Sequence, residues 1–165
     1  MRRAGIFIDG TNLYFIQRNY LNVKIDLVKF VEYFKRFYSI YNVFFYLAYR
    51  EEDEKQEKFY RMLAFSGITV VRKPIKHLPD GSFKGNLDVE MAIDMLLTKD
   101  NYDVAILCSG DSDFEKLINV LRSFGKEVVC VSTRDSSSIE VVNAADRYIE
   151  LRDIIEEIKL EEAVK

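Results

Sequence analysis

Apolar residues along this chain follow two rhythms. Short, nearly unbroken runs predict buried strands at Ala4–Ile8, Val43–Tyr49, Ile68–Arg72, Val104–Cys108, Glu127–Val131 and Tyr148–Leu151. Between them, apolar positions three and four residues apart predict helices. These are Asn12–Tyr20, Asp26–Phe37, Glu51–Phe65, Leu87–Leu97, Phe114–Phe124, Ile139–Ala145 and a last one from Ile154 to the end. In the second helix Leu27, Phe30, Val31 and Phe34 share one face, and Asp26 is its N-cap. The acidic start of the third suits the helix dipole, and Gly67 and Gly125 terminate helices. Only Lys73–Gly85 breaks the alternation. There Pro74 and Leu78-Pro79-Asp80-Gly81 predict a turn or small hairpin.

Strands alternating with helices over short connections predict an α/β fold, a parallel sheet covered on both faces. The expected strand order is 3-2-1-4-5, with the first strand central and the fourth beside it. Ligands of such sheets bind beyond the carboxyl ends of the strands, where strand order reverses.

The two strands at that switch point end alike. Gly5-Ile6-Phe7-Ile8 runs into Asp9-Gly10-Thr11-Asn12, and the Val104–Cys108 run leads into Ser109-Gly110-Asp111-Ser112-Asp113-Phe114. Adjacent strands lie ~4.8 Å apart, so Asp9 and Asp111 are placed to address one hard cation. The helix that leads into the fourth strand runs antiparallel to it. Asp88, in Lys84-Gly85-Asn86-Leu87-Asp88, therefore starts at the same edge. Each acid also has a plainer account: a first-turn acid for Asp88, a turn and cap for Asp111 and Asp113. Four together exceed what capping needs, and they point to metal-assisted phosphate chemistry. Thr11, Asn12 and Ser109 offer neutral hydrogen bonds to a phosphate or a bound water, with helix capping competing for Thr11 and Asn12. Asp94, six residues after Asp88, shares a polar stripe with Glu90 and Thr98 that reads as a solvated face. It is a peripheral metal candidate.

Composition narrows the setting. The 165 residues, 48% of them apolar, suit one domain spanning the chain. A net charge of −3 is not that of a general nucleic-acid coat. Any polyanion must meet a local patch, and Arg72, Lys73, Lys76 and Lys84 supply one around the Pro74–Gly85 loop. Tyr14, Phe15 and Phe83 could stack bases, but core packing is the expected use of all three. No run reaches the ~18 apolar residues of a membrane span, and Met1-Arg2-Arg3 leads directly into a strand rather than a signal peptide. With Cys108 and Cys130 inside apolar runs, a reduced, cytoplasmic protein is expected.

Other chemistries fail on particular residues. Ile8-Asp9-Gly10-Thr11 is similar to the aspartyl-phosphate motif of haloacid-dehalogenase-type phosphatases, but Phe7 stands where those enzymes need an aspartate. No Gly-rich phosphate loop follows the first strand. The lone His77 excludes a His-rich zinc site, and no nucleophilic triad is evident.

Taken together, Phe7–Asn12, Lys84–Asp88 with Asp94, and Ser109–Phe114 resemble the NYN domain, the branch of the PIN-like nuclease superfamily that includes the LabA-like bacterial proteins. Ala145-Asp146-Arg147-Tyr148-Ile149 is similar to the family's closing motif, in which the aspartate is structural. The resemblance implies a three-layer α/β/α sandwich and a Mg²⁺- or Mn²⁺-dependent ribonuclease. It carries over Asp9, Asp88, Asp111 and Asp113 as catalytic and metal-binding acids, with Asp94 at the margin. Asn12, Thr11, Ser109, Lys84, Arg72 and Lys76 are then expected to hold single-stranded RNA. Two alternatives stay open: a regulatory RNA-binding protein of the same fold with little or no cleavage, and a metal-dependent phosphatase on small phosphoesters. Which RNA is bound, and whether the protein is a homodimer, is left open by the sequence.

Overall fold

The computed structural model describes residues 1–51 and 54–161. Its main sheet is six-stranded and all parallel: β1 (Arg3–Asp9), β2 (Ser39–Tyr49), β3 (Ile68–Pro74), β6 (Val104–Cys108), β7 (Glu127–Ser132) and β8 (Arg147–Glu150). The order is β3-β2-β1-β6-β7-β8. Counting only these strands, this is the expected 3-2-1-4-5 with a sixth added beside the fifth. The other pair, β4 (Lys76–His77) and β5 (Phe83–Lys84), forms the antiparallel hairpin expected after Pro74.

Both faces of the sheet are buried, and the pleat sorts its side chains into two cores. Ala4, Ile6 and Ile8 of β1, Val104, Ile106 and Cys108 of β6, and Val129 and Val131 of β7 enter one core. Phe7, Ala105, Leu107, Val128 and Cys130 enter the other. The first core is closed by α1 (Gly10–Ile16), α2 (Leu27–Lys35), α3 (Glu54–Phe65) and α7 (Leu151–Ile158). The second is closed by α4 (Asp88–Leu97), α5 (Glu115–Ser123) and α6 (Ile139–Ala144). This is a three-layer α/β/α sandwich of PIN-like topology.

Several boundaries differ from the sequence expectation for local reasons. The first helix starts at Gly10 and passes into a π-helical turn over Gln17–Leu21, closed by Asn22 at φ 57°. Strand β2 starts four residues early because Ser39 and Ile40 pair with Arg3 and Ala4 across an irregularity in register. The last helix begins at Leu151, not Ile154, because the Glu150 carboxylate accepts the Arg152 N–H and caps it there. It ends at Ile158, and the expected continuation from 162 to 165 lies outside the described residues, as do positions 52 and 53 of the third predicted helix.

Candidate metal centre

The centre is assembled where β1 and β6 end side by side. Ile8 pairs with Cys108, so the next residues, Asp9 and Ser109, are brought together at the carboxyl edge. Asp9 caps α1: its Oδ1 accepts the Asn12 N–H at 3.1 Å, and its Oδ2 accepts the Ser109 hydroxyl at 3.1 Å. Ser109 is fully buried and its oxygen also accepts the Asp111 N–H at 3.3 Å. The Asn12 side-chain Oδ1 in turn accepts the Gly110 N–H at 3.4 Å. Burial raises the Asp9 carboxyl above its usual range, against these hydrogen bonds, and the nearby Asp111 charge adds to the rise.

Beyond this knot the chain turns tightly. Asp111 Oδ1 accepts the Asp113 N–H at 2.9 Å, capping a short 3₁₀ turn over Ser112–Phe114. That turn and the first turn of α4 bring Asp88, Asp111 and Asp113 together, each offering a carboxylate oxygen within 4.8 Å of the others. Among the described residues, no lysine or arginine forms an ion pair with any of these three. Asp88 carries the cost. Its Oδ2 is buried without a hydrogen-bond partner. Burial, then the charges of Asp9 and Asp111, then Asp113, push its carboxyl up to about 7. Helix α4 also has no side-chain cap at its start. A cluster of anionic oxygens with one orphaned donor atom fits a hard divalent cation, which favours oxygen ligands.

The remaining candidates are placed differently. Asp9 lies close enough for its charge to act on Asp88; both of its oxygens accept hydrogen bonds, and the three-acid group does not include it. Asp94 does not join the cluster. It accepts the Tyr46 hydroxyl at 2.8 Å, while Glu90 accepts Lys73 Nζ at 2.8 Å. The stripe expected to face solvent therefore faces β2 and β3, and Val89, Ile93 and Leu97 are exposed in its place. Thr11 is exposed at the start of α1. Lys76 and Lys84 lie exposed on the hairpin. Arg72 points to the opposite sheet face, where its guanidinium lies over the Tyr60 ring at 4.5 Å and 3.7 Å from Glu57. Of the three aromatics expected in the core, Tyr14 packs there beside Phe45, whereas Phe15 and Phe83 are exposed.

Sequence reasoning missed two supports. A Cβ on Gly110 would lie 2.4 Å from Ser137 Oγ and 2.8 Å from its Cα, so the loop after β7 clamps the loop after β6. A Cβ on Gly10 would lie 2.5 Å from the Tyr46 carbonyl oxygen, so β2 presses on the other side. The tight Asp-Gly and Ser-Gly pairs after each strand were the available signal.

Acids gathered at the switch point of a parallel α/β/α sandwich form a potential divalent-metal site, consistent with nuclease-type chemistry. A sequence profile of the NYN domain matches residues 3–155, and the chain belongs to this family, in its LabA-like branch. It is 35% identical over 160 residues to the low amplitude and bright protein LabA of Synechococcus elongatus, covering 92% of this chain and 85% of that one. A crystal structure of a Vibrio parahaemolyticus protein of unknown function superposes with a TM-score of 0.84 at 25% identity, covering 96% of both chains. Asp146 of the closing motif accepts the Val128 N–H at 2.8 Å and the Arg122 guanidinium at 3.0 Å, a bracing role away from the acids. No helix among the described residues is long and apolar enough to cross a membrane.

Proposed function

We propose that this protein is a divalent-metal-dependent ribonuclease that hydrolyses phosphodiester bonds of RNA at the carboxyl-edge acids. The observation that carries the reading is the Asp88–Asp111–Asp113 group, one of whose members, Asp88, also holds a buried Oδ2 without a hydrogen-bond partner. These three acids would hold Mg²⁺ or Mn²⁺, both suited to an all-oxygen donor set. A divalent cation there supplies Lewis acidity toward water and phosphate oxygens.

The chain's own residues supply the rest. Burial and the neighbouring acids raise the Asp88 carboxyl to about 7, so a cation held there would displace its proton near neutral pH. Asp9 adds negative charge nearby, while its hydrogen bonds to Asn12 and Ser109 fix both strand ends. Helix α4 starts without a side-chain cap, and a helix start of this kind favours a phosphate. Lys84, four residues before Asp88, supplies positive charge on the approach.

The test compares RNA cleavage with phosphate release from a small phosphoester, each in Mg²⁺, Mn²⁺ and chelator. Metal-dependent RNA cleavage that is lost in Asp111→Asn, with the fold intact, is expected. Cleavage of the small ester alone would favour a phosphatase. Equal RNA cleavage by Asp111→Asn and the parent would refute the site.

A further inference from the structure

The hairpin ahead of α4 carries features that packing alone does not explain. Lys76 sits directly opposite Lys84 in the antiparallel pair. Like charges at such cross-strand positions destabilise a hairpin. The next pair is His77 with Phe83, their rings edge to face at 4.8 Å. Phe83 is 53% exposed, and the Arg50 guanidinium lies 4.9 Å from its ring centroid. Alternation puts the lysines on one face of the hairpin and the two rings on the other.

The turn joining these strands is stiff. Leu78 N–H donates to the Ser82 carbonyl at 2.9 Å, Gly81 N–H to the Leu78 carbonyl at 3.0 Å, and Gly81 takes φ 85°. Asp80, the acid on the tip, spends its Oδ1 on the Ser82 N–H and hydroxyl. At its base the hairpin is tied to the sheet. Ile75 N–H donates to the Tyr49 carbonyl at 2.8 Å, and Gly85 fits against Ile75 and Ala48 where a Cβ would lie 2.9 Å and 3.3 Å from them. Three residues later the chain reaches Asp88.

From this arrangement we infer that the hairpin is a stacking platform for an unpaired base of a single-stranded nucleic acid, feeding the strand to the acids. The inference rests on the nuclease reading for what happens next, not for binding. A base lies on the Phe83–Arg50 surface, since every base has a π-face and guanidinium planes stack as aromatic rings do. The lysines lie on the other face of the hairpin, so the strand meets them with its phosphates only as it crosses the hairpin toward Asp88, and that contact relieves their mutual repulsion. A duplex, with its bases already stacked on each other, cannot use the ring. Neither contact reads the sugar, so RNA and DNA strands are both ligands of the platform.

The test is binding in chelator, where nothing is cleaved, read by fluorescence anisotropy on full-length protein. The probes are a labelled ten-nucleotide U-tract RNA, the T-tract DNA and a duplex of equal length. Loss of one stacked base costs ~1–3 kcal/mol, so Phe83→Ala is expected to weaken both single strands about 5- to 150-fold. Phe83→Tyr should restore them. Phe83→Leu, which keeps apolar bulk for the fold, should bind as poorly as Phe83→Ala. The Lys76→Gln/Lys84→Gln pair should reduce the slope of log affinity against log salt by about 1.4, at ~0.7 per released counterion. Single-strand affinity unchanged in both Phe83→Ala and Phe83→Leu, or no binding by the parent, overturns the platform. An active Asp111→Asn would instead overturn the nuclease reading and leave this result standing.

Discussion

Two groups of charged residues, one at each edge of the sheet, are built on opposite electrostatic plans. At the amino edge, carboxylates meet guanidinium groups: Glu127 pairs with Arg2, Asp103 with Arg3, and Asp146 with Arg122. Arg3 accordingly holds the Asp103 carboxyl below its usual range. At the carboxyl edge Asp88, Asp111 and Asp113 face one another with Asp9 nearby, and the Asp88 carboxyl rises to about 7. The first edge neutralises its charges internally and gains little from outside. The three acids at the second have no ion-pair partner among the described residues, which makes them a potential cation site. A carboxyl raised as far as that of Asp88 by burial and named charge neighbours marks a candidate functional site.

Neutralising one acid on each edge gives the sharpest contrast. Asp88→Asn is expected to lower metal-dependent RNA cleavage by more than about 100-fold, beyond the ~10–100-fold typical of changes around the ligands. Asp103→Asn should cleave like the parent, and comparable losses from both would erase the distinction.

Glycine substitutions probe the same contrast through packing. Gly10→Ala meets backbone and the Phe45 ring, whereas Gly5→Ala, near the other edge, meets chiefly the far atoms of the Phe7 ring at 2.9 Å and 3.2 Å. Overpacking costs about 1–3 kcal/mol, and urea denaturation should put Gly10→Ala at the upper end and Gly5→Ala below it.

Stability against pH follows with opposite signs. A carboxyl raised in the folded state binds more protons folded than unfolded, so ion-free parent should lose stability as pH rises from about 4 toward about 7. Asp88→Asn should remove that loss, gaining about 1 kcal/mol at pH 8 after allowance for solvent screening and nothing below pH ~4. A parent whose ion-free stability is flat over this window would contradict the repulsion.

The smallest effect belongs to Asp103. Its lowered carboxyl contributes stability above the usual carboxylate range, and this is lost as pH falls through the folded-state value. Asp103→Asn should therefore shift the thermal midpoint slightly downward at pH 7, and the shift should vanish in high salt.

The sheet and its acidic edge were legible because they rest on local pattern. An apolar run ending in Asp-Gly or Ser-Gly-Asp announces a strand end, and antiparallel geometry places Asp88 at the same edge. What stayed hidden depends on partners far away in sequence. Helix α4 is apolar on several sides, so its own periodicity could not tell that Glu90 and Asp94 turn inward. Lys73 and Tyr46, on other elements, decide it. Arg72 and Lys73 adjoin in sequence but alternate across the sheet, and only the docking of α3 and α4 shows which reaches which side. Asp9 reads as a metal ligand from its strand end and from the family resemblance, whereas its hydrogen bonds to Ser109 and the first turn of α1 show only in the fold.

The hairpin stands outside the main sheet, and this separates two kinds of sequence change. Strand β1 is buried on both faces, so inserting one residue before Asp9 would exchange the contents of two cores at once. The five residues from Leu78 to Ser82 bridge only two short strands, and lengthening them leaves the β1–β6 register and its acids in place. Changes of length and sequence can thus be confined to one small excursion of chain, while the sheet and the acids at its edge keep their register.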